Sequence, residues 1–359
     1  MREYKISVRQ ICFSLVAFSL AIKMIMLTAV TASISGRMLW LSAIINFAVD
    51  GLFILYILKI SEKFDGLDFY EILEVNIGKV GAKIVFALYA IIFFLKAYIP
   101  ILEQKTFIEI TLYETAPTIL TFMPFFIFSA YFCFKGMRAI GRCADIAVWL
   151  TVLAVLGLIA LTLQNADFSE LLPLADIPLT DVLSGGIKTS LWYFDSLYIL
   201  FFIGHFKREK LTKTKILGAF AIEGLMIAVF TAATFAEFGV LTERQFFAPV
   251  KVGLFSVATL NIGRIDYIAA FVIATANVFA IAVPLVFCTY CVNKVIGVDG
   301  KVLTPVIINA IMASLILFTE KYFYALFGFI SGYAVYAFAF FAYVVPLIML
   351  FLKKGSIKR

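Results

Sequence analysis

Long apolar runs alternate with short polar connections along the whole chain. A helix that crosses a bilayer needs about 20 predominantly apolar residues, and the chain contains about ten runs near that length. The runs lie at 10–33, 38–59, 82–102, 118–134, 144–163, 185–206, 214–238, 265–293, 303–319 and 326–352. This pattern predicts an all-α integral membrane protein with about ten transmembrane helices.

The composition supports a membrane protein. The chain has 359 residues, of which 63% are hydrophobic and 15% are charged. A soluble domain has too little interior to hide that share of apolar side chains, so we expect one polytopic domain over residues 1–359 surrounded by the lipid bilayer. The net charge of +7 comes from basic residues in short connections rather than on one face. We therefore expect no nucleic-acid partner.

The connections differ in charge from one side of the predicted bundle to the other. The stretch 207–215 carries five basic residues, whereas 164–184 carries acids and neither Lys nor Arg. Because basic connections stay in the cytoplasm, this asymmetry predicts that both chain termini are cytoplasmic, which an even number of spans allows. The polar stretches 103–117 and 237–263 are expected to be external loops.

Ten spans can divide into two halves of five, approximately 1–163 and 185–352. An odd number of spans in each half inverts the second half relative to the first, as in many transporters. On this plan spans one and six occupy matching positions, and both are expected to be discontinuous near the middle of the membrane.

Span six contains the features expected of a broken helix. The run LSGGIKTSLWYFDSLYILFFIGHF places Gly185 and Gly186 near its start and Asp195 in its middle. A carboxylate costs several kcal/mol in hydrocarbon and usually marks a site. We predict a helix break at the two glycines, with Tyr193, Asp195 and Ser196 contacting a ligand; the alternative is that Asp195 pairs structurally with a neighbouring helix.

Span one carries the complementary charge. Lys23 lies about midway along it, too far from either interface to reach water easily, and Ser19 precedes it by one helical turn. Lys23 either binds a ligand carboxylate beside the broken helix, with Ser19 as a further ligand-binding residue, or forms a permanent buried pair with Asp195 or Asp50. The sequence leaves both alternatives open.

Four other polar residues lie inside predicted spans. Asp50 in span two is expected to be a structural charge partner, and Lys96 in span three to reach the external surface with its long side chain. Glu223 in span seven is either a proton-coupling group or a structural hydrogen-bond partner. Asn277 in span eight either lines a ligand cavity or bonds between helices.

The residue inventory disfavours an enzyme. The chain has one histidine, His205, and five cysteines whose only close pair, Cys288 and Cys291, falls inside an apolar run. We therefore expect no catalytic residues, no metal and no cofactor.

Three stretches resemble the B-subunit family of spore germinant receptors, the GerAB-type proteins related to amino-acid permeases. They are ISVRQICFSL near the start, FSELLPLADIPLTDVLSGG before span six, and PVKVGLFSVATLNIGRIDYIAAFVIATANVF entering span eight. The resemblance implies a LeuT/APC-type 5+5 inverted repeat and a small germinant, usually an amino acid, bound between spans one, three, six and eight. It also implies assembly with A-type and C-type subunits in the spore inner membrane.

The chain departs from that pattern in span one. Where permease-like members have a glycine followed by a proline, this chain has Ser19, Ala21 and the pair Leu27–Thr28, with Lys23 between them. The departure favours an anionic ligand or an internal Lys23–Asp195 lock. The expected function is a transporter-like germinant-sensing subunit that triggers spore germination. The alternative is a proton-coupled permease for amino acids or related small molecules in the bacterial plasma membrane.

Overall fold

The described part of the chain is helical. The computed structural model describes residues 6–64, 66–111, 117–173, 176–255, 265–298, 302–319 and 322–351. Its helices are α1 (Val8–Lys23), α2 (Leu27–Ser35), α3 (Leu39–Lys63), α4 (Phe69–Thr111), α5 (Thr118–Lys135), α6 (Met137–Thr162), α7 (Leu179–Thr189), α8 (Ser196–Phe202), α9 (Thr212–Phe238), α10 (Ala248–Phe255), α11 (Ile265–Ile296), α12 (Leu303–Thr319), α13 (Phe323–Phe329), α14 (Val335–Ala339) and α15 (Val345–Phe351). Helices suit an apolar chain because they pair their own backbone polar groups without water.

Several helical runs match a membrane in length. Within the described residues, six are long and apolar enough to cross one, judged by length and composition. They are Leu27–Lys63, Phe69–Thr111, Met137–Thr162, Thr212–Arg244, Ala270–Ile296 and Gly332–Met349. The prediction of a helical integral membrane protein is confirmed, whereas the count of ten spans and the inverted repeat stay predictions.

The first predicted span is discontinuous. Ser7 begins α1 with a capping box, in which its hydroxyl accepts the Gln10 N–H and the Gln10 side chain accepts the Ser7 N–H. The helix ends at Lys23, and α2 begins only at Leu27. The interruption therefore follows directly after the buried lysine.

The chain reverses direction between α2 and α3. Gly36 has a φ of 48°, in the left-handed region where glycine carries no side-chain penalty. The hydroxyls of Ser35 and Ser42 lie 2.8 Å apart, although seven residues of continuous helix would separate them by about 10 Å. The apolar run Leu27–Lys63 is therefore not one continuous span. It consists of α2 and α3, joined by a turn that begins at Gly36.

The second discontinuous span breaks later than predicted. The helix α7 continues through Gly185 and Gly186 to Thr189, followed by the 3-10 turn Ser190–Trp192. Tyr193 and Phe194 are not helical, and α8 begins at Ser196. The predicted break at the glycines is wrong in position. Both glycines are helical, and Gly185 serves close packing, because a side chain there would overlap the Ser35 hydroxyl.

Two of the helices that end at the breaks, α1 and α8, lie inside the bundle. The helix α1 packs against α6, α9 and α11, and α3 packs against α7, α8 and α9. All seven residues of α8 are buried. The helix α4 packs along α11 and continues to Thr111, with Glu103 to Lys105 buried. The part of the predicted loop 103–117 that lies within α4 is therefore helix, because its polar residues face packed neighbours rather than water.

Polar contacts link the start of α1 to its neighbours at one end of the bundle. The Ile6 N–H donates to the His205 carbonyl oxygen at 3.2 Å, which joins the start of α1 to the segment after α8. Arg9 and Gln10 both donate to the Asp145 carboxylate of α6, at 3.1 and 2.9 Å. The entry to α1 is therefore tied to two neighbouring elements at this end.

The opposite end carries the acidic connection between α6 and α7. There the Arg37 guanidinium donates to the Leu172 carbonyl oxygen and lies 3.9 Å from the Asp176 carboxylate. Hydrogen bonds from the Ser169 hydroxyl and N–H hold the pKa of the Asp167 carboxyl below its usual range. This connection therefore contacts the turn between α2 and α3.

Candidate functional site: a buried charge cluster at two broken helices

Lys23 joins three helices at the centre of the bundle. Its Nζ lies 2.7 Å from Asp195 Oδ2, just before α8, and 3.1 Å from Glu223 Oε1 on α9. The side chains of Lys23 and Glu223 are fully buried, and that of Asp195 is 2% exposed. The structure thus pairs the lysine of span one with the aspartate of span six, and adds Glu223 as a second partner.

Ser19 completes this contact from the preceding turn of α1. Its hydroxyl lies 2.7 Å from Asp195 Oδ2 and also contacts Glu223 Oε1 and the Lys23 ammonium. Positions i and i+4 face the same side of a helix, so Ser19 and Lys23 present a hydroxyl and a cation to the same two carboxylates.

Aromatic rings flank the ammonium. Lys23 Nζ lies 5.2 Å from the centre of the Phe47 ring and 5.0 Å from that of Tyr193. Both distances fit a cation–π interaction, which strengthens when water is excluded. Phe47 also packs edge-on against Tyr193, so the two rings cover one side of the cluster.

Asp50 satisfies the backbone after the second break. Its Oδ2 accepts the N–H groups of Asp195 at 2.5 Å and Ser196 at 3.2 Å. The first N–H groups of a helix have no partner within the helix, and burial without a partner is costly. Asp50 is therefore a structural partner of span six, but it bonds to backbone N–H groups rather than to a buried cation.

Lys96 satisfies the backbone before the same break. Its ammonium donates to the carbonyl oxygen of Tyr193 and, at 3.4 Å, to that of Leu191. The residue is only 4% exposed. The prediction that Lys96 reaches the external surface is wrong, because that face of α4 packs against the broken span rather than pointing towards an interface.

Two groups of predicted site residues lie elsewhere. Asn277 is buried on α11, donates to the Ile273 carbonyl oxygen of its own helix, and lines a small apolar cavity with Ala21 and Met24 near the first break. Gly185 and Gly186 lie on α7, before the break. The structure brings together the other predicted residues: Ser19, Lys23, Asp50, Lys96, Tyr193, Asp195, Ser196 and Glu223.

Sequence reasoning missed the polar seam between α3 and α7. The Ser42 hydroxyl donates to the Val182 carbonyl oxygen at 2.8 Å, and the Asn46 amide donates to that of Gly186 at 2.9 Å. Ser42 and Asn46 are one helical turn apart on α3. This i, i+4 spacing of small polar residues is the sequence pattern that indicates a polar contact with a neighbouring helix. The seam holds α7 against the helix that carries Asp50.

An apolar groove lies beside the cluster. It has a volume of about 530 Å³ and lies between α3 and α9, with Phe47, Gly51, Phe220 and Gly224 among its lining residues. Since Phe47 also contacts Lys23, its ring separates the groove from the buried charges. Gly224 makes room for that ring, because an added Cβ would lie 3.0 Å from it.

Some polar atoms of the cluster are unpaired. Within the described residues, Glu223 Oε2, the Ser196 hydroxyl and the buried Tyr198 hydroxyl have no hydrogen-bond partner. Buried polar groups are nearly always bonded, so unpaired ones call for an explanation. Three carboxylates also face only two ammonium groups in the cluster formed by Lys23, Asp50, Lys96, Asp195 and Glu223. The centre therefore offers unpaired hydrogen-bonding atoms beside three carboxyl groups and two ammonium groups.

Fold and site together define a helical integral membrane protein with charged groups gathered at discontinuous helices. The sequence profile of the family described as "Spore germination protein" matches residues 5–324. The chain belongs to this family, which marks it as a germination-related, permease-like membrane protein. None of the curated proteins compared with the chain matches it.

Proposed function

We propose that this protein is the transporter-like, germinant-sensing subunit of a spore germinant receptor. A small ligand would bind where the break after Lys23 meets the break before Ser196. The observation that carries the proposal is the meeting of two discontinuous helices at fully buried charges. Discontinuous helices near the bilayer midplane form the binding sites of many transporters.

The architecture that goes with this function is a LeuT/APC-type 5+5 inverted repeat with halves of approximately 1–163 and 185–352. In support, the first and sixth predicted spans are both discontinuous, and the two breaks contact each other through Lys23 and Asp195. The positive-inside pattern supports a cytoplasmic location for both termini.

A ligand would act by biasing two packings of the helices. Lys23, Asp195 and Glu223 tie α1 to α8 and α9, so a ligand that bonds to this group with different affinity in the two packings shifts their populations. The A-type and C-type subunits would receive that shift as the signal for germination in the spore inner membrane. Membership of the family implies a small germinant, which for the family is usually an amino acid or a related small molecule.

A second candidate function is proton-coupled transport by alternating access. The observation in its favour is Glu223, whose Oε2 is unpaired while its other oxygen contacts Ser19 and Lys23. A carboxyl with one free oxygen beside an ion pair is suited to accept and release a proton during a transport cycle.

The test is thermal stabilisation of purified protein by a panel of amino acids, nucleosides and small anions. We expect one ligand to raise the Tm of the wild type and of Ser129→Ala, a buried hydroxyl on α5, but not of Ser19→Ala. Stabilisation that survives Ser19→Ala unchanged would place the ligand elsewhere.

Accumulation of that ligand in proteoliposomes under a pH gradient would favour the transporter.

A further inference from the structure

The break in span six exposes two kinds of backbone group. Before it, the carbonyl oxygens of Leu191 and Tyr193 have left the helical pattern; after it, the N–H groups of Asp195 and Ser196 have no helical partner. In transporters with discontinuous helices, such N–H groups receive the anionic part of a substrate, and such carbonyl oxygens receive a cation.

In this chain the N–H side of the break is already filled. The Asp50 carboxylate, supplied by α3, accepts both N–H groups and is fully buried. A ligand carboxylate aimed at these N–H groups would have to displace a carboxylate of the protein. It would also bring a further carboxylate into a centre whose two ammonium groups already have partners, and an uncompensated buried charge is strongly unfavourable.

The carbonyl side is filled in the same way. The Lys96 ammonium, supplied by α4, donates to both carbonyl oxygens and is 4% exposed. Lys23 gives a ligand carboxylate no alternative, because its ammonium lies between Asp195 and Glu223. Both buried ammonium groups of the cluster are therefore engaged.

We propose that Asp50 and Lys96 act as a built-in substitute for an α-amino acid and are the specificity-determining residues of the site. Their carboxylate and ammonium occupy the backbone groups to which the two charged ends of a zwitterion would bind. The ligand class that fits the remaining atoms is a small hydrogen-bond donor without a carboxylate, since Glu223 Oε2 and the Ser196 hydroxyl stay unpaired. This inference rests on the ligand site of the proposed function, and it excludes zwitterionic amino acids from that site.

Chemical rescue of thermal stability tests the assignment. Asp50→Gly leaves two buried N–H groups unpaired, so its Tm should fall and should be restored in part by formate but not by methylammonium. Lys96→Ala should show the opposite preference. The double variant should be stabilised by glycine, with a rise in Tm of about 2 °C or more at saturating ligand, whereas the wild type should not respond to glycine.

Two further variants keep the test decisive. Asp50→Ser retains an acceptor for one N–H group and leaves room for formate, so it replaces Asp50→Gly if that variant does not fold. Lys105→Ala removes another buried lysine of α4, one that pairs with the Glu109 side chain, and should gain no response to glycine. Equal stabilisation of wild type and double variant by glycine would overturn the inference, as would the absence of rescue in every variant.

The rescue experiment and the ligand panel fail in different ways. If no compound stabilises the wild type, the proposed sensing function loses support, yet rescue of the variants by ions of matching charge still shows that Asp50 and Lys96 fill the break. If glycine or alanine stabilises the wild type but not Ser19→Ala, the proposed function stands. The inference that Asp50 and Lys96 replace an amino acid at the break is then disproved.

Discussion

Lys23 is the residue on which the centre of the molecule depends. Its ammonium contacts carboxylates from two other segments, and its flanks face two aromatic rings. Taking charged groups out of water is expensive, and their mutual attraction offsets this cost only while all partners are present. Removing the Lys23 ammonium alone therefore lowers the free energy of unfolding by more than Lys23, Asp195 and Glu223 together contribute to it.

We expect Lys23→Met to lower the free energy of unfolding by about 3–5 kcal/mol, since it leaves Asp195 and Glu223 buried without a cation. Arg9→Met is the matched control, because Arg9 also pairs with an aspartate but its side chain is 68% exposed; its loss should cost about 1 kcal/mol or less. Thermal unfolding of both variants in detergent makes the comparison. Equal small losses would show that Lys23 is not held by its carboxylates.

The charged residues of the site were predictable one by one. Of their contacts, the sequence offered the pair of Lys23 with Asp195 only as one alternative, and it did not predict the contact with Glu223. Lys23, Asp195 and Glu223 stand out because charges are rare inside apolar runs. Which of them meet depends on how α1, α8 and α9 pack, and no sequence spacing encodes that. Lys96 shows the limit most clearly: a long side chain can reach an interface only if its helix face is free, and that face is packed against span six.

The two broken helices show how an element can be predicted correctly and still be misplaced. Glycines in a membrane helix permit either unwinding or close approach of a neighbour, and Gly185 serves close approach. The actual break falls at Tyr193 and Phe194, and Phe194 has a φ of 59°. Nothing local favours this conformation for a phenylalanine. Asp50 and Lys96, which are distant in sequence, stabilise the break through its backbone groups.

Gly185 and Gly186 provide a matched pair at the scale of the element. An added methyl group at Gly185 would overlap the Ser35 hydroxyl, whereas at Gly186 the nearest atoms lie at 3.7 Å, an ordinary contact. We expect Gly185→Ala to destabilise the protein by about 1–3 kcal/mol through overpacking between α7 and α2. Gly186→Ala should be neutral or stabilising by up to about 1 kcal/mol, since alanine favours a helix. Thermal unfolding distinguishes the two, and equal losses would argue that flexibility at both glycines is what matters.

At the scale of the whole molecule, the structure links the N-terminal segment to one end of the bundle. The bridge between Ile6 and Phe206 places the entry to α1 beside the basic connection 207–215. Arg9 and Gln10 strengthen that link through Asp145. The side of the membrane on which residues 207–215 lie is therefore also the side of the N-terminal segment.

Labelling of introduced cysteines tests which side that is. Ser169, in the acidic connection, and Lys210, in the basic one, are both exposed. In a Cys143→Ser background, which removes the least buried native cysteine, we expect Ser169→Cys to react with a membrane-impermeant maleimide in intact cells. Lys210→Cys should react only after the cells are permeabilised, because basic connections stay in the cytoplasm.

The reverse pattern would place the entry to α1 outside, so that the end of the bundle with the Arg9–Asp145 contact would face the medium. Labelling of both sites in intact cells would instead show that the two connections lie on one side, which the alternation of spans forbids.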